Sequence, residues 1–394
     1  MHKVSIAFPI SYGDSSPYHK YMPLIIQLKN DDILEKCYGI GFSRSFRITD
    51  EPVKKMVLTK IPTRLSRFVI RLFCKIFKLP LYYVYWSKIK IFDLLFSERI
   101  ARDNSNIVLT TPLLVRTTEK AKNSGKTVIV EAGNSEPQRE NRRIINEYKK
   151  YGIKNQFIYG NSIYKDTCIK SLDLSDYIVC ISKVSMDTYK EAGYDMTKFR
   201  LISMAGTDFH IYDVRNLNAQ PAFISTAFHS FIKGTHILLG AWKKAEITNI
   251  PLLIVGDLCE DMQEFVKRFG PFPNVYFIGT KKDLQDWYKE YAAVGILLSL
   301  SEGAVRVTPE MMAFGFPMIV SIDATCDLVE DEINGFVIDV NDEQKLIKKM
   351  KWFAEDWSRV YSMKKQVLNS VKTRKMQDYS LDLYAFVKEI ANQK

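Results

Sequence analysis

The chain has 394 residues, 46% hydrophobic and 26% charged, with a formal net charge of +11. That length exceeds one typical core and suits two domains of roughly 150–200 residues. No apolar run approaches the roughly 18 residues of a membrane span, and six scattered cysteines without a Cys-x-x-Cys exclude a disulfide framework.

The first strand is predicted over Val4–Pro9, with no apolar signal-peptide core before it, so a cytoplasmic location is expected. A turn, Ser11-Tyr12-Gly13-Asp14, follows, and Cys37–Gly41 is the next predicted strand. From Pro52 to Phe92 there are ten Lys or Arg residues and no Asp or Glu. Within the segment 60–90, Arg64, Arg67, Arg71, Lys75 and Lys78 share one helical stripe, while Leu65, Val69, Leu72, Phe73, Ile76 and Phe77 fill the rest of the circumference. Such a helix either lies on an anionic membrane surface or buries its apolar side in the domain core with its charges solvated. Tyr82, Tyr83, Tyr85 and Trp86 are of the ring types that favour a membrane interface. Nucleic acid is not expected as a partner, because the basic residues alternate with Phe, Ile and Leu and no nucleic-acid motif is present.

Further strands are predicted at Asn106–Thr110, Thr127–Glu131, Tyr177–Ile181 and Phe199–Ser203, with a polar helix over Arg139–Tyr151. Residues 1–212 then form one domain, and the short polar stretch Asp213–Pro221 is a candidate linker. A second domain over 222–357 has predicted strands at Phe223–Thr226, Leu252–Asp257, Asn274–Gly279, Val294–Leu298 and Met318–Val320. Strands every 20–30 residues with helical patterns between them are the rhythm of a parallel sheet covered on both faces. Residues 358–394 read as C-terminal helices, and Leu381–Ile390 is a candidate for a return to the first domain.

The most informative stretch is Glu302-Gly303-Ala304-Val305-Arg306-Val307-Thr308-Pro309-Glu310, a polar turn between a strand and a predicted helix. Thr308 is a good N-cap type, and Pro309 suits a first helical position, where a missing N–H costs nothing. The helix is expected from Glu310 through Met312, ending near Gly315-Phe316-Pro317. Backbone amides in such a turn attract phosphate, whereas Glu302 and Glu310 suit hydroxyl groups on either side of it. The other reading is two solvated carboxylates around an ordinary helix start. Lys233-Gly234, at another predicted helix start, combines a cation with a residue that lets backbone approach.

Several segments together resemble the pattern of glycosyltransferase family 4 in the GT-B superfamily. They are Ser175-Asp176-Tyr177-Ile178-Val179-Cys180-Ile181-Ser182, Gly206-Thr207-Asp208, Lys233-Gly234, Val255-Gly256, Phe277-Ile278-Gly279, Glu302 through Glu310 with Met312-Ala313-Phe314-Gly315-Phe316-Pro317, and Asn334-Gly335-Phe336. The resemblance runs from Asp176 to about Asp342. It implies an α/β fold of GT-B architecture, two Rossmann-like parallel-sheet domains facing a central cleft. It also implies retaining transfer of a sugar from a nucleotide-diphosphate sugar to a glycan or lipid-linked acceptor, in the cytoplasm or at the inner face of the membrane.

By the same resemblance Glu310 would hold the ribose and Glu302 the donor sugar, with Lys233 and the backbone of Gly303, Ala304, Val305, Arg306 and Val307 on the diphosphate. Gly13 and Gly256 would lie near the donor. Arg306 either adds to the phosphate site or points away to a surface carboxylate. No cofactor and no metal is expected, and the sequence has no Asp-x-Asp. The pattern departs from the family at two places. Where members carry a histidine facing the donor sugar this chain has Gly133, with Glu131 and Asn134 as candidate acceptor-side substitutes; the other reading of Glu131 is a plain structural residue closing its strand. Where members carry an arginine before the lysine it has Ala227-Phe228-His229, and His229 either contacts phosphate or caps a helix start. These departures leave open a catalytically silent GT-B subunit that binds a partner enzyme or glycan. A sugar-nucleotide epimerase is less consistent with the lack of further acid/base histidines.

Overall fold

A computed structural model of the chain describes residues 2–12, 19–42, 56–58, 72, 76, 82–214, 216, 218–371 and 374–393. Gly13 and most of the basic segment 60–90 lie outside the described residues; the helix Tyr82–Arg102 lies within them.

The first sheet is built from β1 (Val4–Ala7), β3 (Leu34–Gly39), β5 (Met56–Leu58), β6 (Ile107–Thr110), β7 (Thr127–Ala132), β8 (Tyr177–Cys180) and β9 (Phe199–Leu201). Its order is β5-β3-β1-β6-β7-β8-β9 and every pairing is parallel. Two short strands, β2 (Ser11–Tyr12) and β4 (Gly41–Phe42), pair separately beside it. The second sheet contains β10 (Gln220–Thr226), β11 (Leu252–Val255), β12 (Val275–Gly279), β13 (Tyr291–Leu297), β14 (Met318–Ser321) and β15 (Gly335–Ile338), in the order β12-β11-β10-β13-β14-β15, again parallel throughout. Central strands such as Val4–Ala7 and Leu252–Val255 are buried on both faces. Unbroken apolar runs therefore go with parallel strands that helices cover on either side. In each sheet the strand order reverses once, between β1 and β6 and between β10 and β13, and crevices for ligands open at the carboxyl ends of strands at such points.

The expected strands are present to within a few residues. The linker is shorter than expected, because its last residues Gln220 and Pro221 already pair with Tyr291 and Ala292. Sequence periodicity missed β2, β4 and β5, which are two or three residues long, and β15. The turn after Glu302 also differs from expectation. The helix is Val307–Met312, with Arg306 at its N-cap and no side-chain cap; Thr308 instead donates from Oγ1 to the Ala324 carbonyl at 2.8 Å. Thr308 is fully buried, so its hydroxyl serves a neighbouring backbone carbonyl rather than its own helix start.

Two helices tie the domains together. The C-terminal helix Met376–Asn392 returns to the first domain, where Tyr379, Leu383 and Val387 share a core with Val4, Ile6 and Leu24. The helix Pro137–Tyr151 belongs by sequence to the first domain, yet Ile144 and Tyr148 pack into the second domain's core. Glu136 caps its start, accepting from Gln138 N and Arg139 N, and Gly152 ends it in the left-handed conformation. Tyr148 stacks on Phe231 with ring centroids 4.7 Å apart and donates to Asp261 at 2.6 Å. One turn from its start, Arg139 and Arg143 converge on Asp323 of the second domain at 2.7 and 2.5 Å, with Ser135 Oγ 3.1 Å from the same carboxylate.

Asp323 has a fully buried side chain, while its two arginines keep about a fifth of their surface. Asp323→Ala is therefore expected to cost about 2–3 kcal/mol, somewhat less than breaking a wholly buried pair. Urea unfolding should show the loss, with the second-domain transition separating from the first. A single transition at the wild-type midpoint would contradict it.

Candidate functional site

The site is built where the second sheet reverses direction. After β10 the chain makes a short turn, Phe231–Lys233, ended by Gly234 in the left-handed conformation (φ +67°). A Cβ on Gly234 would fall 1.9 Å from the carbonyl oxygen of Leu298, so only glycine lets this turn lie against the segment that follows β13. The two are also joined by Leu300 N–H donating to the Ile232 carbonyl at 2.8 Å. The result brings Lys233 onto Glu302: Lys233 Nζ bonds Glu302 Oε1, which also accepts from Ser299 Oγ at 3.0 Å.

From Glu302 the chain runs into a loop in which the Val305 N–H faces the Cys326 thiol. The backbone N–H groups of Gly303, Ala304 and Arg306 have no protein acceptor among the described residues. Gly303 touches the opposite domain; a Cβ there would lie 1.9 Å from the Gly133 carbonyl oxygen. Val305 is buried and Val307 begins the helix that carries Glu310. The Glu310 side chain is largely enclosed, with Arg306 Nη2 at 3.5 Å. Burial pushes its carboxyl up to about 7, with Arg306 opposing and Asp208 reinforcing the rise.

The first domain supplies the facing wall. Between the domains lies a cleft of about 260 Å³, bordered by Ile10, Lys20, Glu131, Gly133, Ala304 and Arg306 among others. Glu131 lies one residue before the end of β7, and its carboxylate is fully engaged: Tyr21 OH and Tyr379 OH each donate at 2.6 Å, and Lys20 Nζ lies at 3.2 Å. It holds the C-terminal helix against the first domain and has little capacity left for a ligand. Burial lowers the Lys20 ammonium's proton affinity, and Glu131 opposes that shift. Asn134 lies behind Gly133 and donates to Glu140 Oε1 at 3.1 Å.

The remaining sequence candidates are engaged within the second domain. His229 is fully buried, with Nδ1 3.0 Å from Thr235 Oγ1 and Nε2 3.0 Å from the Val255 carbonyl. Both ring nitrogens are thus committed within the fold. Burial lowers its pKa to about 4, so the ring is neutral and contributes no cation. Gly256 follows β11 and donates its N–H to the Gly279 carbonyl at 2.9 Å. Asn334-Gly335-Phe336 is structural: the Asn334 amide bonds Leu328 O, Ser370 Oγ and Glu330 N.

Sequence reasoning missed Glu140. Its carboxylate is 1% exposed and accepts from Ser301 Oγ of the second domain at 2.8 Å. Burial pushes its pKa up to about 8, and the nearby Glu302 and Asp323 charges add to the shift. The signal was present in the spacing, since Glu140, Ile144 and Tyr148 recur every four residues and so share the buried face. In chemical terms the second domain offers Lys233, Arg306 and unpaired amides to a polyanion, flanked by carboxylates able to accept from hydroxyls.

Residues 221–356 match the family model described as Glycosyl transferases group 1. An uncharacterized glycosyltransferase of Haemophilus influenzae is 30% identical over 122 residues, a match covering 29% of this chain and 34% of that relative, about a third of its length. Among solved structures, Anabaena HepE in complex with UDP and glucose is similar over 98% of this chain and all of that one, at 14% identity and a TM-score of 0.62. Sucrose-phosphate synthase from Thermosynechococcus elongatus is similar over 99% of each chain, at 13% identity and a TM-score of 0.67. At such identities the likeness establishes the fold, and that fold is GT-B.

The raised carboxyl pKa values give a pH prediction with a definite sign. Glu140 and Glu310 ordinarily titrate near 4.5, whereas the folded values are about 8 and about 7. The folded protein therefore holds more protons between those limits, and stability falls as pH rises through them. Thermal melts from about pH 5 to about pH 8 should show this decline, and Glu140→Gln should flatten it, because a neutral amide has no charge to bury. Parallel profiles for variant and wild type would contradict the assignment.

Proposed function

We propose that this chain, whose second domain is of the glycosyl transferases group 1 type within a GT-B frame, is a retaining glycosyltransferase. It moves a sugar from a nucleotide-diphosphate sugar to a glycan or lipid-linked acceptor without a metal. The observation that carries this reading is the loop after β13, where the unpaired N–H groups of Gly303, Ala304 and Arg306 lie beside Lys233 and Glu302. Unpaired amides next to an ammonium form a site for the charge that grows on a leaving diphosphate, and stabilising that charge is the main expected source of rate. Glu310 would accept from the ribose, and Glu302 from the donor sugar once Lys233 exchanges its carboxylate for phosphate. Retention rests on the family resemblance of these motifs.

The neighbour HepE binds UDP and glucose, which supports a uridine nucleotide as the first donor to try. No helix among the described residues is long and apolar enough to cross a membrane. We place the enzyme in the cytoplasm, peripheral at the inner membrane face if the basic segment 60–90 engages anionic lipid. A second reading, a catalytically silent subunit of the same fold, is favoured by the lack of a side chain at Gly133 and by the neutral, buried His229.

Thermal-shift screening against UDP, GDP, ADP and their sugars tests the donor site. A ligand at 100 times its dissociation constant should stabilise by about 2.7 kcal/mol. Lys233→Ala is expected to remove most of that stabilisation and, with Glu302→Ala, to lower transfer about 10²–10³-fold. A nucleotide shift identical in wild type and Lys233→Ala would overturn this placement. Intact nucleotide binding with no transfer or donor hydrolysis would instead favour the silent subunit.

A further inference from the structure

Behind Gly133 the first domain contains a second, smaller chamber of about 150 Å³, enough for several water molecules. It shares Thr111, Leu113 and Gly133 with the wall of the interdomain cleft, so the two spaces adjoin at the carboxyl ends of β6 and β7. Its floor is Glu140. The Oε1 atom of this carboxyl accepts from Asn134 Nδ2 and Ser301 Oγ, whereas Oε2 has no partner among the described residues. Its sides are aromatic: the Tyr159 and Tyr164 rings meet edge to face with centroids 5.1 Å apart, and Tyr189 completes the enclosure.

The lining determines what can enter. No lysine or arginine borders the chamber among the described residues, so a phosphate would find no counter-charge there, only a carboxyl. Aromatic walls with a few polar groups among them, here the Glu140 carboxyl with Asn134 and Ser135, are the composition of a pocket for a neutral molecule with an apolar face and hydroxyls. Glu140 also touches Ser301, the residue before Glu302, so the chamber and the diphosphate loop are linked through one hydrogen bond.

We propose that this chamber takes an uncharged sugar ring, with a hydroxyl on Glu140 Oε2 and the ring's apolar face against Tyr159 and Tyr164. The proposal deepens, and rests on, the sugar-transfer reading above; the ring is that of either the acceptor or the donor. A Cβ built on Gly133 meets no heavy atom within 4 Å, so Gly133→Leu should fold while filling the entrance. Glu140→Ala removes the polar partner instead.

Calorimetry and saturation-transfer NMR on the full chain would use UDP, UDP-glucose, UDP-N-acetylglucosamine and methyl glycosides of glucose, galactose and mannose. Sugar binding is expected in wild type and about tenfold weaker in both variants, with UDP affinity falling by clearly less than the affinity for sugars. A loss confined to methyl glycosides assigns the chamber to the acceptor, and one confined to UDP-sugars assigns it to the donor. Equal sugar affinity in wild type and variants, no sugar binding by wild type, or a matching loss for UDP itself would each overturn the proposal. If wild type binds no UDP species, the donor site fails separately and the methyl glycosides still decide the chamber.

Discussion

The contact on which the rest of the molecule depends is the docking of the helix Pro137–Tyr151 onto the second domain. Asp323 draws Arg139 and Arg143 across the boundary, and Tyr148 fits flat against Phe231 two residues before Lys233. The same Asp261 carboxylate oxygen accepts from Tyr148 OH and from Phe231 N, so first-domain packing helps fix the turn that presents Lys233. The position of the site's principal cation is therefore set partly by the other domain. Burying Asp323 carries a desolvation cost that its paired arginines offset, and the arrangement is specific because both lie one turn apart on one helix face.

Charged groups around the cleft pair with one another within the protein. Lys233 is paired with Glu302, Lys20 with Glu131 and Arg306 with Glu310. These pairs are not equivalent. Glu131 has three partners and a structural task, whereas Glu310 has one long contact to a half-exposed arginine and an elevated pKa. The fold therefore depends less on the Glu310 carboxyl than on that of Glu131. Beyond the pair of Lys233 and Glu302, the amides of Gly303, Ala304 and Arg306 find no acceptor among the described residues.

Much of the architecture was legible in the chain. Unbroken apolar runs such as Leu252–Val255 and Met318–Val320 point to buried parallel strands, which helices cover on both faces. The Glu302–Glu310 turn and Lys233-Gly234 were legible as types of residue at a strand end. Helix detail was less so: Thr308 has the chemistry of an N-cap, yet the Ala324 carbonyl lies within reach and takes its hydroxyl. His229 shows the same limit, because a histidine near a phosphate loop and one buried against Val255 O look identical in one dimension.

The amino-acid order by itself determined the two doubly wound sheets, the order of the motifs along them and the residue types available for polyanion and hydroxyl contacts, because these follow from local periodicity and spacing. Which carboxylates are free was decided only in three dimensions. Glu131 is saturated by Tyr21 and by Tyr379, 110 and 248 residues away, whereas Glu140 is enclosed by a partner domain that its own segment does not encode. Burial and pairing are sums over everything that folds around a group, and neither can be read from its neighbours in the chain.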